Sequence, residues 1–138
     1  MTAVFVDTDY WIAVVKPNDQ WKDPADRAKR SLGQVRLLTT DEVLAEFLNA
    51  LGKYGGYLRT QAVEMVRAIN KNANITVVPQ SRDSFVRGLA TYENRSDKDY
   101  SLTDCISFNT MKAQGIQKVL SHDHHFQQES FVPLICKE

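Results

Sequence analysis

Apolar residues arrive along this chain in two rhythms. Short unbroken runs alternate with longer stretches in which apolar positions recur at three- and four-residue steps. The runs fall at Ala3–Val6, 35–38, Ile75–Val78, Lys118–Leu120 and 131–135. They are short, rich in β-branched residues and bounded by turn residues, which predicts strands buried in a sheet. The second run is broken by Arg36, and the third is stopped by Pro79. The first is the purest: Val4-Phe5-Val6 leads straight into Asp7-Thr8-Asp9, so a strand buried on both faces ends in two carboxylates.

The stretches between read as helices. A short one over 10–15 is closed by Lys16-Pro17-Asn18-Asp19, where proline cannot continue it. Over 23–32, Ala25, Ala28 and Leu32 share a stripe and Gly33 is the stop. Thr39-Thr40-Asp41-Glu42 opens a stronger helix, with Val43, Leu44, Phe47, Leu48 and Leu51 inward; a threonine cap and first-turn acids suit its positive end. Beyond Gly55-Gly56 a second long helix covers 57–70, and the two predict a hairpin. Residues 82–92 predict a helix with Phe85, Val86 and Leu89 facing the core, followed by a polar loop over 93–100. The next helix covers 103–114 and stops at Gly115; 121–126 is a loop with the start of a helical turn.

Strands alternating with helices imply a parallel sheet covered on both faces. The predicted architecture is α/β, a three-layer α/β/α sandwich around a central parallel sheet of four or five strands, with the first strand central. At 138 residues the chain is expected to form a single domain over 1–138. No repeat, low-complexity segment or long linker interrupts it.

Composition changes this picture little. Hydrophobic residues make up 43% and charged residues 25%, an ordinary globular balance. Lys plus Arg equals Asp plus Glu at 17 each, which argues against a module that binds nucleic acid by bulk charge. No apolar run approaches the roughly 20 residues of a membrane span, and the first apolar run is too short for a signal peptide. Cys105 and Cys136 form neither a close metal-binding pair nor a disulfide framework; they are read as reduced packing residues of a cytoplasmic protein.

The acids carry the candidate chemistry. Taken singly, each has an ordinary explanation. Asp7 suits a helix cap; Glu46 suits a solvated position or a pair with Lys53; Asp104 stands three residues after Ser101, as in a capping box; Asp123 suits a cap or turn. Jointly they say more. Two follow strands, one opens a helix, and one lies on a helix packed nearby. In an open α/β sheet, ligands bind outside the carboxyl ends of the strands. Clustered carboxylates repel one another, and a fold tolerates them mainly with a cation present. Hard oxygen donors suit Mg²⁺ or Mn²⁺. His122, His124 and His125 lack the paired ligands of a zinc site and read as solvated loop residues, or at most as substrate contacts.

The chain resembles PIN domains, specifically the VapC-like toxin ribonucleases of bacterial toxin–antitoxin pairs. The landmarks are Val6-Asp7-Thr8-Asp9-Tyr10-Trp11-Ile12, Glu46 in its helix, Asp97-Lys98-Asp99-Tyr100-Ser101-Leu102-Thr103-Asp104-Cys105-Ile106-Ser107-Phe108, and Val119-Leu120-Ser121-His122-Asp123-His124-His125-Phe126. The resemblance spans nearly the whole chain. It implies a catalytic and metal-holding set of Asp7, Glu46, Asp104 and Asp123, with Mg²⁺ or Mn²⁺ as cofactor. The implied activity is endonucleolytic cleavage of single-stranded RNA, leaving a 3′-hydroxyl and a 5′-phosphate. It further implies a homodimer and a cognate antitoxin partner. Asp9 stands where the family often has Ser or Asn. Ser121 and His122 stand where the family usually has Thr. Tyr10, Trp11, Tyr54 and Tyr100 lie near the acids in sequence, and Lys16, Lys53, Arg59 and Lys98 are candidates to meet phosphates.

Two other readings stay open. Val6-Asp7-Thr8-Asp9 also satisfies the Asp-x-Asp of haloacid-dehalogenase-like phosphatases, with Asp7 as nucleophile and Asp9 as acid, although Glu46 then has no task. A non-catalytic PIN-like interaction module is the second; the presence of all four acids argues against it.

Overall fold

The computed structural model describes residues 2–137. The sheet contains β1 (Ala3–Val6), β2 (Arg36–Thr40), β3 (Ile75–Val78), β4 (Lys118–Leu120) and β5 (Val132–Pro133). Its order is β3-β2-β1-β4-β5, and every pairing is parallel. Phe5 is in register with Leu38 on one side and Val119 on the other, so β1 is the central strand, as its unbroken apolar run predicts. Val4, Phe5 and Val6 are fully buried. Burying side chains of this size contributes roughly 1.5–3 kcal/mol each.

The helices are α1 (Thr8–Val15), α2 (Lys22–Ser31), α3 (Asp41–Gly52), α4 (Gly56–Lys71), α5 (Arg82–Asn94), α6 (Leu102–Gln114) and α7 (His124–Gln128). They flank the sheet. α3 begins where predicted: the Thr40 side chain accepts from the Val43 amide at 3.1 Å. α3 and α4 form the predicted hairpin, turning at Gly55, whose φ of 108° is the left-handed region that favours glycine.

Several expectations need correction. β3 is half-buried rather than buried, because it is the sheet's edge strand beside β2. Only Val132–Pro133 of the last apolar run pairs as strand. α5 extends to Asn94, taking the first two residues of the expected loop. The larger error is its orientation. Phe85, Val86 and Leu89 were expected inward, yet they and Tyr92 are exposed. The inward face is the small-residue face. A Cβ on Gly88 would lie 2.5 Å from Ile106 Cγ1 of α6, so glycine permits an approach that any side chain would block. Ser84 and Thr91 lie on the same side and bond Glu42 and Asn109. Close backbone packing, not the most apolar stripe, decides which way α5 faces.

Candidate active site

β2 and β3 build outward on one side of β1, and β4 and β5 on the other. The carboxyl ends of β1 and β4 therefore flank a point where the chain reverses its direction of growth, the usual place for a ligand crevice. Asp7 follows β1, and its amide donates to the Leu120 carbonyl at 3.2 Å. Ser121, His122 and Asp123 follow β4. All four expected acids line one open cleft of ≈ 590 Å³, together with Thr8, Asp9 and His125. A larger groove of ≈ 750 Å³ runs between α5 and α6, but it contains none of the four.

Asp7 is buried at the N-cap of α1 yet makes no side-chain cap bond. The capping explanation fails for it, and its carboxylate is left to the cleft. Glu46 does not pair with Lys53. It is half-buried and accepts a short hydrogen bond from the Thr8 hydroxyl. Asp104 does cap: Ser101 Oγ accepts from the Asp104 amide at 3.0 Å, and Asp104 Oδ2 accepts from the Ser101 amide at 3.1 Å. Asp123 caps α7, accepting from the His125 amide at 2.9 Å. For these last two, the capping bond orients a carboxylate that still borders the cleft.

Ser121 ties the acids together. It is fully buried. Its hydroxyl lies 3.0 Å from Asp9 Oδ2 and 3.3 Å from Asp7 Oδ2, and its oxygen accepts the Asp123 amide at 3.0 Å. One hydroxyl proton serves two carboxylates, with Asp9 the nearer. Asp9 also accepts the His122 amide at 2.9 Å, and His122 Nε2 lies 3.2 Å away. The His122 ring stacks on Trp21 with centroids 3.8 Å apart.

The histidines are thus only partly the solvated residues expected. His124 is exposed. His122 and His125 are built into the site: His125 Nδ1 lies 3.2 Å from Asp123 and 3.4 Å from Asp104. Its ring meets Tyr100 edge-on at 5.2 Å. The Tyr100 hydroxyl donates to Glu129 at 2.9 Å, and Arg95 and Lys112 converge on the same carboxylate at 3.0 and 3.5 Å. Burial raises the Glu129 carboxyl, but the bonds from Arg95 and Tyr100 and the nearby positive charges outweigh it, leaving a net lowering. Sequence reasoning missed Thr8, Trp21 and Glu129 as parts of this assembly, because each acts through a partner far away in the chain. Tyr10, Trp11 and Tyr100 are buried in the core, whereas Tyr54 is exposed. Cys105 packs in the core, but Cys136 is exposed and is not the packing residue expected. Asp99 lines the cleft, while Asp97 points away to Lys98.

Among the described residues, no lysine or arginine pairs with Asp7, Asp9, Glu46, Asp104 or Asp123. Burial, then the charges of Asp9, Asp104 and Glu46, hold the Asp7 carboxyl well above its ordinary range. Burial is also the largest cause raising Asp9, Glu46 and Asp104. Asp9 Oδ1 is buried with no hydrogen-bond partner. Carboxylates lining one cleft, most of them raised, and an orphaned acceptor, with no lysine or arginine paired to them, fit a hard divalent cation.

The chain is 27% identical over 129 residues to a Mycobacterium tuberculosis protein named 23S rRNA-specific endonuclease VapC20, covering 94% of this chain and 95% of that one. The crystal structure of M. tuberculosis VapC20, described as a sarcin–ricin loop cleaving toxin, superposes with a TM-score of 0.85 at 26% identity, over 96% of this chain and 99% of that one. FitAcB from Neisseria gonorrhoeae, at 12% identity and a TM-score of 0.62, covers 96% of each chain and shares the fold. The family profile described as PIN domain matches residues 4–131, nearly the whole chain, and the protein is therefore a member of the PIN domain family.

Proposed function

We propose that this protein is a Mg²⁺- or Mn²⁺-dependent endoribonuclease, the toxin of a toxin–antitoxin pair, and that Asp7, Glu46, Asp104 and Asp123 form its catalytic and metal-holding set. The observation that carries this is the convergence of those carboxylates on one cleft from four separate parts of the chain, with no lysine or arginine among the described residues paired to them. The whole-length likeness to a named rRNA endonuclease supports the reading. The Asp-x-Asp phosphatase reading loses its acid, because Asp9 is tied down by Ser121 and His122.

When bound, the cation lowers the pKa of a water and neutralises charge on the phosphate. The protein does the rest by positioning. Thr8 fixes Glu46 and keeps its carboxyl from rising further. Ser121 sets Asp7 and Asp9 relative to Asp123. The capping bonds of Asp104 and Asp123 leave those side chains little freedom at the mouth of the cleft. In the hydrolysis, a water oxygen bonds to phosphorus, the bond from phosphorus to O3′ breaks, and O3′ takes a proton.

An RNA loop or single strand suits an open cleft, since splayed bases reach such a site and paired ones do not. The exposed α5 face of Phe85, Val86, Leu89 and Tyr92 supports a homodimer, and an antitoxin would mask the acidic cleft. No helix among the described residues is long and apolar enough to cross a membrane, and we place the protein in the cytoplasm. The test is RNA cleavage by the Asp7→Asn protein, with divalent-ion binding measured alongside by calorimetry. Loss of cleavage with fold retained is expected; full metal-dependent cleavage by Asp7→Asn overturns the proposal.

A further inference from the structure

α1 and α3 run side by side in the same direction. Where α1 starts, Thr8 bonds Glu46 in the middle of α3, and where α1 ends, Lys16 Nζ lies 3.5 Å from the hydroxyl of Tyr54, just past the end of α3. Both contacts span the same 38 residues, so the register holds from the acidic cleft to the far end. The acidic end of the pair therefore has a basic counterpart about 12 Å away, at eight residues of 1.5 Å rise.

That far end gathers positive charge without neutralising it. Lys16 Nζ lies 4.7 Å from the Tyr54 ring centre and Lys53 Nζ 5.5 Å from it, two ammonium groups on one exposed ring. Arg59 reaches back from α4: a Cβ on Gly52 would meet Arg59 Nη1 at 3.1 Å, so glycine there leaves room for the guanidinium. Among the described residues none of the three cations is in a salt bridge. No acid occurs from Gly52 to Val63, and Tyr57 beside them is exposed. Holding three like charges together costs repulsion that an arriving anion offsets. A carbonyl-rich or apolar partner offers no such compensation; a phosphodiester backbone does, and exposed tyrosines supply faces for its bases.

We infer that Lys16, Lys53 and Arg59, with Tyr54 and Tyr57, form a second anchoring site for the RNA substrate, gripping its backbone on the order of three nucleotides from the scissile phosphate at a stacked spacing of about 3.4 Å. This rests on the endoribonuclease reading of the cleft. It adds that substrate affinity is set partly at the α3–α4 turn, not only at the carboxylates.

The test uses the full chain carrying Asp7→Asn, so that RNA is bound without being cut. Binding of a single-stranded RNA long enough to cover cleft and patch is measured across a salt series, with and without Lys16→Gln, Lys53→Gln and Arg59→Gln together. The three changes are expected to weaken binding by about tenfold or more and to reduce the slope of log affinity against log salt by about 2, at about 0.7 per released ion. A dinucleotide, too short to reach the patch, is expected to bind both proteins alike. If the long RNA binds with unchanged affinity and slope, the patch is not an RNA anchor; this overturns the inference alone. If the Asp7→Asn protein binds no RNA and the unsubstituted protein cuts none, the reading of the cleft falls, and the inference with it.

Discussion

The Thr8 hydroxyl, at the first turn of α1, donates its proton to the Glu46 carboxylate on α3. The bond joins the helix that follows β1 to the helix that follows β2, and it is the only side-chain bond Glu46 makes among the described residues. Replacing Thr8 by Val keeps the shape and removes the donor. Loss of an orienting partner behind a metal-holding carboxylate typically costs 10–100-fold. Thr8→Val is expected to lower divalent-ion affinity and RNA cleavage by about that factor, read by calorimetry and initial rates, while the circular dichroism spectrum stays unchanged.

The raised carboxyl of Asp7 makes a prediction about pH. Its folded-state pKa lies above its ordinary value, so the folded protein favours the protonated acid. Without metal, that contribution is complete below the ordinary carboxylate value and is lost as pH rises through the raised one. The metal-free protein is therefore expected to lose thermal stability as pH rises from the ordinary carboxylate range through the raised value of Asp7. Asp7→Asn should flatten that fall and raise Tm at the upper end. Melting curves in chelator check both, and an unchanged slope in Asp7→Asn would contradict the assignment.

Adding a divalent ion should reverse the trend. Binding requires the deprotonated acids, so it strengthens as pH rises and releases protons. The increase in Tm on adding Mn²⁺ is expected to be larger at the upper end of that range than at the lower, and to vanish in Asp7→Asn.

Tyr100 connects the site to a buried anchor. Its hydroxyl donates to Glu129, and its ring borders His125. Hydrogen bonds to a charged group are worth about 1.5–3 kcal/mol. Tyr100→Phe should cost about that in a denaturant titration, and the released ring should loosen His125 and lower cleavage several-fold.

Gly88 tests the packing of α5. A methyl group there meets Ile106 Cγ1 at 2.5 Å, closer than packing allows. Overpacking typically costs 1–3 kcal/mol, against about 1 kcal/mol gained in helix propensity. Gly88→Ala is expected to be neutral to about 2 kcal/mol destabilising in urea, and Ile106→Ala, which removes the clashing Cγ1, is expected to cost less in the Gly88→Ala chain than in the unsubstituted one.

How much of this was legible in the sequence depends on how far each signal reaches along the chain. β1, the α3 cap at Thr40 and the α3–α4 hairpin were readable because their causes are local: an apolar run, a threonine before two acids, a pair of glycines. The four acids were readable as a set only through their addresses at strand ends and through the family resemblance; periodicity left each with an ordinary explanation. The orientation of α5 was misread because the apolar stripe of Phe85 and Leu89 is a weaker determinant than the close approach that Gly88 permits to a helix not yet placed. His122 and His125 looked solvated because nothing nearby in sequence shows that Trp21 and Tyr100 close over them.

The bond from Ser121 to Asp7 reaches across 114 residues. A ribosome makes Asp7 early and Asp123 late, and β4 must slot in beside β1 before the two carboxylates share a cleft. A growing chain that stops short of β4 lacks the assembled acidic cleft. The acidic cleft is in this way among the last features to assemble as the chain is made.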